Sequence, residues 1–322
     1  MKNDSYYIVT GGAGFIGSHL VEALNRRGHE NITIVDRPDD PMRRSYLDDL
    51  AFRELMDPDE FRARVRRGVQ AAPVTLFHMG ACSSTTELDE AFLEDNNTRT
   101  TQELCAWCLR SGSRFVYASS AATYGDGTRG YADDETRLQE LAPLNPYGWS
   151  KHRFDLWARE QGVLDRIAGL KYFNVYGPRE DHKGEMRSVV HKAHRQILDT
   201  GEVRLFKSHR PEWGNGEQER DFVYVADAVA ATLFFHDRPE VSGLFNCGTG
   251  RARTWLDLAR AVFAAMDREP NIVFVDMPEV LRERYQYHTQ AETAKLRQAG
   301  YDRAFTSLED GVAATVRDGL AP

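Results

Sequence analysis

Short apolar blocks alternate with longer amphipathic ones through the first half of this chain. YYIVTGG, NITIVD, VTLFHMG, RFVYASS and AGLKYFNVYG are brief runs with no polar face, the pattern of strands buried on both sides. Between them, GFIGSHLVEALNRRG, AFLEDNNTRTTQELCAWCLRSG and NPYGWSKHRFDLWAREQG repeat their apolar positions at helical spacing, and Gly28 is placed to end the first helix. Strands separated by helices need crossovers, and crossovers are right-handed. The pattern therefore predicts an α/β fold, a Rossmann-type doubly wound parallel sheet.

After Asn174 the pattern changes. GPREDHKGEMRS and KSHRPEWGNGEQER are polar and rich in Gly and Pro, as the loops of a cap region are. MRSVVHKAHRQILDTG, TWLDLARAVFAAMDR and AETAKLRQAG read as helices, and NIVFVDMP as a strand. RDFVYVADAVAATLFFHD and GLFNCGTG regain the buried character of the first half, with Phe222, Tyr224, Phe234 and Phe235 as core. The expected organisation is a large domain over 1–173 plus about 221–250 and a smaller C-terminal α/β lobe over 174–220 plus about 251–322. No internal repeat or low-complexity tract interrupts it.

Composition narrows the function. In 322 residues, 41% are hydrophobic, enough for a packed interior, and a formal net charge of -8 argues against nucleic acid or an anionic membrane as partner. No apolar run approaches the roughly 20 residues of a membrane helix, and the N-terminus enters a strand within a few residues, so a soluble cytoplasmic protein is expected. Four cysteines, Cys82, Cys105, Cys108 and Cys247, suit a reducing compartment. Cys105 and Cys108 lie one helical turn apart without a second ligand pair, which reads as core packing; no metal site is expected.

TGGAGFIGS places Gly11, Gly14 and Gly17 between a strand and a helix. Such glycines allow a tight turn, a close approach to a pyrophosphate and close helix packing, with the diphosphate on the helix N-terminus. Asp36 ends the next strand, where a carboxylate takes the adenosine ribose hydroxyls; Arg37, Arg43 and Arg44 keep a 2′-phosphate open, so both NAD and NADP remain candidates. The large domain thus reads as dinucleotide-binding.

PYGWSK puts Tyr147 and Lys151 four apart, on one helix face. A free tyrosine, with a pKa of about 10, is a poor base at neutral pH; an adjacent ammonium group is expected to bring it toward the working range. VYASSAATYG supplies Ser119, Ser120 and Thr123 past a strand's C-terminal end, where a hydroxyl can hydrogen-bond a reacting oxygen. His78 and His182 read as hydrogen-bonded structural histidines, and no nucleophilic triad is evident. Arg220, beside a glycine-rich loop, reads as a cation for a diphosphate.

With these residues in place, the chain resembles the extended short-chain dehydrogenase/reductase superfamily over essentially its whole length. FHMGACSSTTE, DNN, YASSAATYG, YFNVYGPRE, HKGEM, RDFVYV and RYQYHTQAE narrow the resemblance to the ADP-L-glycero-D-manno-heptose 6-epimerase family. The resemblance implies a tightly held cofactor, usually NADP, in contact with Gly11, Gly14, Phe15, Ile16, Gly17, Asp36, Arg37, Met79, Gly80, Ala81, Cys82, Ser83, Asn96, Tyr147, Lys151, Val175 and Lys183. It implies Tyr147 and Lys183 as acid/base residues, Ser120 as the catalytic hydroxyl and Lys151 beside them. Substrate contacts are implied at Ser120, Asn174, Glu185, Lys192, Phe206, Lys207, Ser208, Arg220 and Tyr285. It also implies ADP-heptose as substrate, a homo-oligomer such as a pentamer, and a product for the lipopolysaccharide inner core. HRPEWGNGEQE is longer than the family's loop, and Arg37 stands where a smaller polar residue is expected.

A second acid/base lysine has a physical reason. If hydride leaves C6, a carbon outside the sugar ring, and returns from the same place, inversion requires the ketone to present its other face. Rotation about the exocyclic bond does this and redirects the carbonyl oxygen, so one tyrosine cannot serve both poses. Lys183 is the candidate for the second. Two other readings compete: a 4-epimerase or 4,6-dehydratase acting on another nucleotide sugar, and a dinucleotide-binding redox sensor without turnover. The dehydratase reading expects Asp-Glu beside the strand-end hydroxyl, where SSAATYG has Ala122 and Thr123; the sensor reading expects a broken Tyr/Lys/Ser set.

Overall fold

The apolar blocks become strands in the computed structural model, which describes residues 5–37, 40–282 and 285–320. They are β1 (Tyr7–Thr10), β2 (Ile32–Val35), β3 (Glu54–Met56), β4 (Thr75–His78), β5 (Arg114–Ser120) and β6 (Ala168–Tyr172), followed by β7 (Asn174–Tyr176), β8 (Val203–Phe206), β9 (Glu219–Tyr224), β10 (Gly243–Cys247), β11 (Ala252–Thr254) and β12 (Ile272–Val275). Seven of them form one sheet in the order β10-β6-β5-β4-β1-β2-β3. The registers from β1 to β6 are all parallel. This is the doubly wound Rossmann arrangement, in which strand order reverses between β1 and β4.

The chain groups into two compact units. The larger comprises Met1–Gly125, Asp133–Tyr172 and Val229–Phe245; the smaller comprises Asp126–Ala132, Phe173–Ala228 and Asn246–Pro322. In the larger unit, β1, β2 and β4 are buried along their whole length, as strands covered on both faces must be. Cys105 and Cys108 lie fully in its core on the helix Thr100–Ser111, and burial pushes the Cys105 thiol up to about 12, which suits packing and not reactivity.

The smaller unit holds a three-stranded sheet, β11-β9-β7, and the parallel pair β12-β8. The helices Val189–Thr200, Trp255–Ala265 and Leu308–Gly319 bury Val190, Ile197, Leu258, Val262 and Val312 in a shared core. β9 pairs with β7 and β11, so Phe222 and Tyr224 join this core, and the crossing back to the larger unit follows at Val229. Among the described residues no helix is long and apolar enough to cross a membrane.

Two expected elements divide. AGLKYFNVYG is two strands: after Tyr172 the Phe173 N–H goes to the Cys247 carbonyl, and β7 then pairs with β9. The long helix before Ser111 contains a π-helical turn, Glu94–Arg99, between Glu90–Leu93 and Thr100–Ser111. The wider turn loosens main-chain bonds, and the Thr100 and Thr101 hydroxyls donate to the carbonyls of Asp95 and Asn97 there.

Candidate active site

At the end of β1 the chain turns through glycines into the helix Phe15–Arg26. Gly11 has φ +67°, and a Cβ on it would stand 2.7 Å from the Gly80 backbone; a Cβ on Gly17 would fall on the Gly11 carbonyl. The ends of β1 and β4 therefore meet backbone to backbone at the point of strand reversal, where open α/β sheets bind ligands. The helices starting at Pro58, Pro146, Val189, Trp255 and Leu308 are capped by the side chains of Asp57, Asn145, Ser188, Thr254 and Ser307. The helix at Phe15 has no side-chain cap and no acidic residue in its first turn, which leaves the N–H groups of that turn and the positive dipole end to an anion. This cradle fits a dinucleotide diphosphate.

Asp36 is buried beneath the loop. Its carboxylate accepts from the Ala13 N–H at 3.0 Å and the Arg37 N–H at 2.8 Å, and the Arg43 guanidinium pairs with it at 2.7 Å. Arg37 turns its own guanidinium to Asp57 and Asp59. On the other side, Gly80 N–H donates to Thr10 Oγ1, and Met79 Sδ accepts from the Tyr172 hydroxyl. Asn97, in the π turn, holds Cys82 by both its N–H and its carbonyl and donates to Ser150 Oγ on the helix Pro146–Glu160. Asn96 donates to Asn97 Oδ1, Ala81 is half-buried and Ser83 is exposed. His78 is the structural histidine expected: it sits between Thr10 Oγ1 and Thr101 Oγ1, and burial pushes it down to about 3.

Ser120, Tyr147 and Lys151 come together in the larger unit. Tyr147 shares a hydrogen bond with Ser120. Lys151 is buried and donates its ammonium to the Ala118 carbonyl at 2.9 Å; burial pushes it down to about 8. The expected lowering of Tyr147 by Lys151 is not what the geometry gives. Burial raises the tyrosine above its ordinary value and outweighs the Ser120 bond, while the lysine faces a backbone carbonyl.

Beneath these groups lies a closed polar network. Lys171 and Asp155, both fully buried, pair at 3.0 Å. Asp155 also accepts from the Tyr117 and Ser119 hydroxyls, and Lys171 also donates to Thr123 Oγ1 at 2.6 Å. Thr123 in turn donates to the Ser120 carbonyl. β5, β6, the turn after β5 and the helix bearing Tyr147 are thus joined through one ion pair.

In the smaller unit, Asn174 is exposed and Val175 half-buried on β7. Lys183 lies in a 3-10 segment, Asp181–Met186, with its ammonium 3.0 Å from the buried Glu180 carboxylate. Lys192 reaches the Glu185 carbonyl and carboxylate at an exposed position. Arg220 is buried, donates to the carbonyls of Glu219 and Gln286, and lies over the Trp255 and Tyr285 rings at 5.5 and 5.3 Å. Trp255 Nε1 donates to the Tyr285 hydroxyl, and Phe206 meets Tyr285 edge-on. Lys207 pairs with Asp276, and Ser208 Oγ donates to the Arg210 carbonyl. The long His209–Glu219 loop packs Arg210 and Trp213 on Tyr287.

Residues 7–248 match the family described as the NAD dependent epimerase/dehydratase family. A relative from Nitratidesulfovibrio vulgaris named ADP-L-glycero-D-manno-heptose-6-epimerase is 52% identical over 316 residues, covering 98% of each chain. The chain belongs to this heptose epimerase family. A relative of the same name from Alkalilimnicola ehrlichii is 44% identical over 95% of this chain and 94% of its own. Among solved structures, the heptose epimerase of Helicobacter pylori has a TM-score of 0.79 at 25% identity, covering 98% of this chain and 97% of its own. The UDP-glucose 4-epimerase of Thermotoga maritima, solved with UDP-glucose, also has a TM-score of 0.79, at 27% identity over 97% of each chain.

Sequence reading passed over several buried groups. Asn97, Asp155, Lys171, Glu180 and Asp221 are all buried and each organises the main chain or side chains beside a candidate residue. Lys171 had a readable signal: a charge inside AGLKYF, a strand read as covered on both faces, requires a buried partner. Asp221 had none, because its acceptors meet Thr249, Gly250 and Ala291, far along the chain.

Proposed function

We infer that the protein interconverts ADP-D-glycero-D-manno-heptose and ADP-L-glycero-D-manno-heptose by inverting the configuration at C6. The near-full-length identity to curated heptose epimerases carries the substrate, and the Tyr147, Ser120 and Lys151 cluster supports the chemistry. A nicotinamide dinucleotide would supply the redox capacity for reversible hydride transfer at C6. The Gly11 to Gly17 turn, Asp36 and the Met79 to Ser83 segment would hold it. Arg43, already on Asp36, and Arg37 beside it suit a 2′-phosphate, so NADP is the preferred form.

The chain's own residues handle the substrate oxygen. Ser120 Oγ donates to O6, and Tyr147, hydrogen-bonded to Ser120, accepts or returns its proton. Lys183 exchanges the proton when the C6 carbonyl has rotated. Arg220 and Tyr285, with Asn174, Glu185, Lys192 and Phe206 to Ser208, bind the rest of the sugar nucleotide. The same reading makes the protein a cytoplasmic homo-oligomer supplying heptose for the lipopolysaccharide inner core.

Incubation of the purified protein with ADP-D-glycero-D-manno-heptose in deuterated water tests the reading. The C6 epimer should accumulate to an equilibrium mixture with protium retained at C6. Failure to convert this substrate, together with epimerisation of UDP-glucose, would replace it with a 4-epimerase.

A further inference from the structure

We propose that Glu180 is a positioning residue for the reaction, fixing the Lys183 ammonium in the pose from which it meets the substrate oxygen; this rests on the acid/base role read for Lys183 above. The Glu180 side chain is 0% exposed, and its carboxylate gathers three donors. Gly177 N–H reaches Oε1 at 3.2 Å, Ser188 N–H reaches Oε2 at 2.8 Å, and Lys183 Nζ reaches Oε2 at 3.0 Å. The Glu180 carbonyl also accepts the Lys183 N–H at 2.9 Å, so both ends of the lysine are tied to one residue.

The backbone is bent to make this possible. Arg179, immediately before Glu180, has φ +66°, a conformation that side chains other than glycine adopt at a cost, and Gly184 follows at φ +51°. Arg187 closes the segment by donating twice to the Asp181 carbonyl. Strain of this kind persists where surrounding contacts over-determine it, and here those contacts converge on one carboxylate. The hydrogen bond to Glu180 sets the direction in which the Lys183 ammonium points. A flexible four-carbon stem would otherwise leave the group spread over many rotamers, and a displacement of about 1 Å at a reacting atom can cost roughly 100-fold in rate.

The test is a double-mutant cycle on the NADP-loaded enzyme, E180Q, K183A and E180Q/K183A, with ADP-D-glycero-D-manno-heptose as substrate. E180Q should lower kcat roughly 10- to 100-fold, change KM less than about threefold, and increase the solvent deuterium effect on kcat, because proton transfer becomes slower. In the K183A background the same change should cost less than about twofold, since Glu180 acts through the missing lysine. E180D keeps the charge but withdraws it by one methylene; it should fold and show an intermediate loss, and it decides the matter if E180Q does not fold. Wild-type turnover in E180Q or in E180D, or an equal loss on top of K183A, overturns the proposal. Wild-type turnover in K183A would instead overturn the acid/base reading on which it rests.

Discussion

Lys151 sits on a 15-residue helix whose inner face is locked to the sheet through Asp155, whereas Lys183 sits in a six-residue 3-10 segment wrapped around Glu180. Both lysines lie beside a buried carboxylate, yet they are held by different means. Asp155 is one member of a network that joins two strands, a turn and a helix, with every charge taken out of water. Glu180 works within a single loop, receiving two local N–H groups and one ammonium that is 21% exposed. Regular elements hold the first lysine as part of the fold; the second meets its carboxylate within a loop. Damage to the Asp155 network should therefore appear mainly as lost stability, and damage to the Glu180 contacts mainly as lost turnover.

The largest expected effect removes a reacting group without disturbing either support. Tyr147→Phe should lower the rate of C6 inversion by roughly 100- to 10,000-fold with the thermal midpoint and cofactor content unchanged, measured by steady-state kinetics and the absorbance of retained nicotinamide. Lys171→Met then tests the network: it leaves Asp155 buried without its cation, and chemical denaturation should show a loss of about 3–5 kcal/mol. A loss of turnover with no loss of stability in this variant would break the contrast between the two regions.

Acid sensitivity gives a smaller effect in the larger unit. Burial holds His78 down at about 3 in the fold against 6.5 for a free imidazole, so the unfolded chain binds the extra proton between those values. The stability His78 contributes as a neutral group is complete above about pH 6.5 and declines as pH falls toward 3, by up to about 1.4 kcal/mol per pH unit. His78→Asn should flatten that slope in denaturation midpoints taken at successively lower pH. Least in size, Arg43→Ala should shift cofactor preference from NADP toward NAD by about tenfold, near 1.4 kcal/mol, in competitive binding; an unchanged preference would remove Arg43 from the 2′-phosphate site.

Much of the larger unit was legible because its rules are local. Alternating apolar runs specify a parallel sheet, glycine spacing marks the β1 turn, and Tyr147 and Lys151 share a helix face by periodicity alone. The partners that hold them were harder to see. Asp155 and Lys171 find each other across 16 residues, and Asn97 reaches Cys82 from a π turn whose extra residue breaks the helical count. In the smaller unit, REDHKGEM gave Lys183 through family resemblance, while the role of Glu180 depends on the left-handed Arg179, which no periodicity encodes. The division of AGLKYFNVYG into β6 and β7 was hidden for a similar reason: both halves are apolar, and only pairing with β9 separates them.

The central claim is that inversion at C6 requires two proton-handling groups, Tyr147 and Lys183. Its most direct test is the rate of C6 inversion by Lys183→Ala carrying a full complement of bound cofactor, followed by proton NMR with ADP-D-glycero-D-manno-heptose. The account predicts a rate at least about 100-fold below that of the unaltered enzyme, comparable to the loss in Tyr147→Phe. Inversion by Lys183→Ala at the unaltered rate would contradict it.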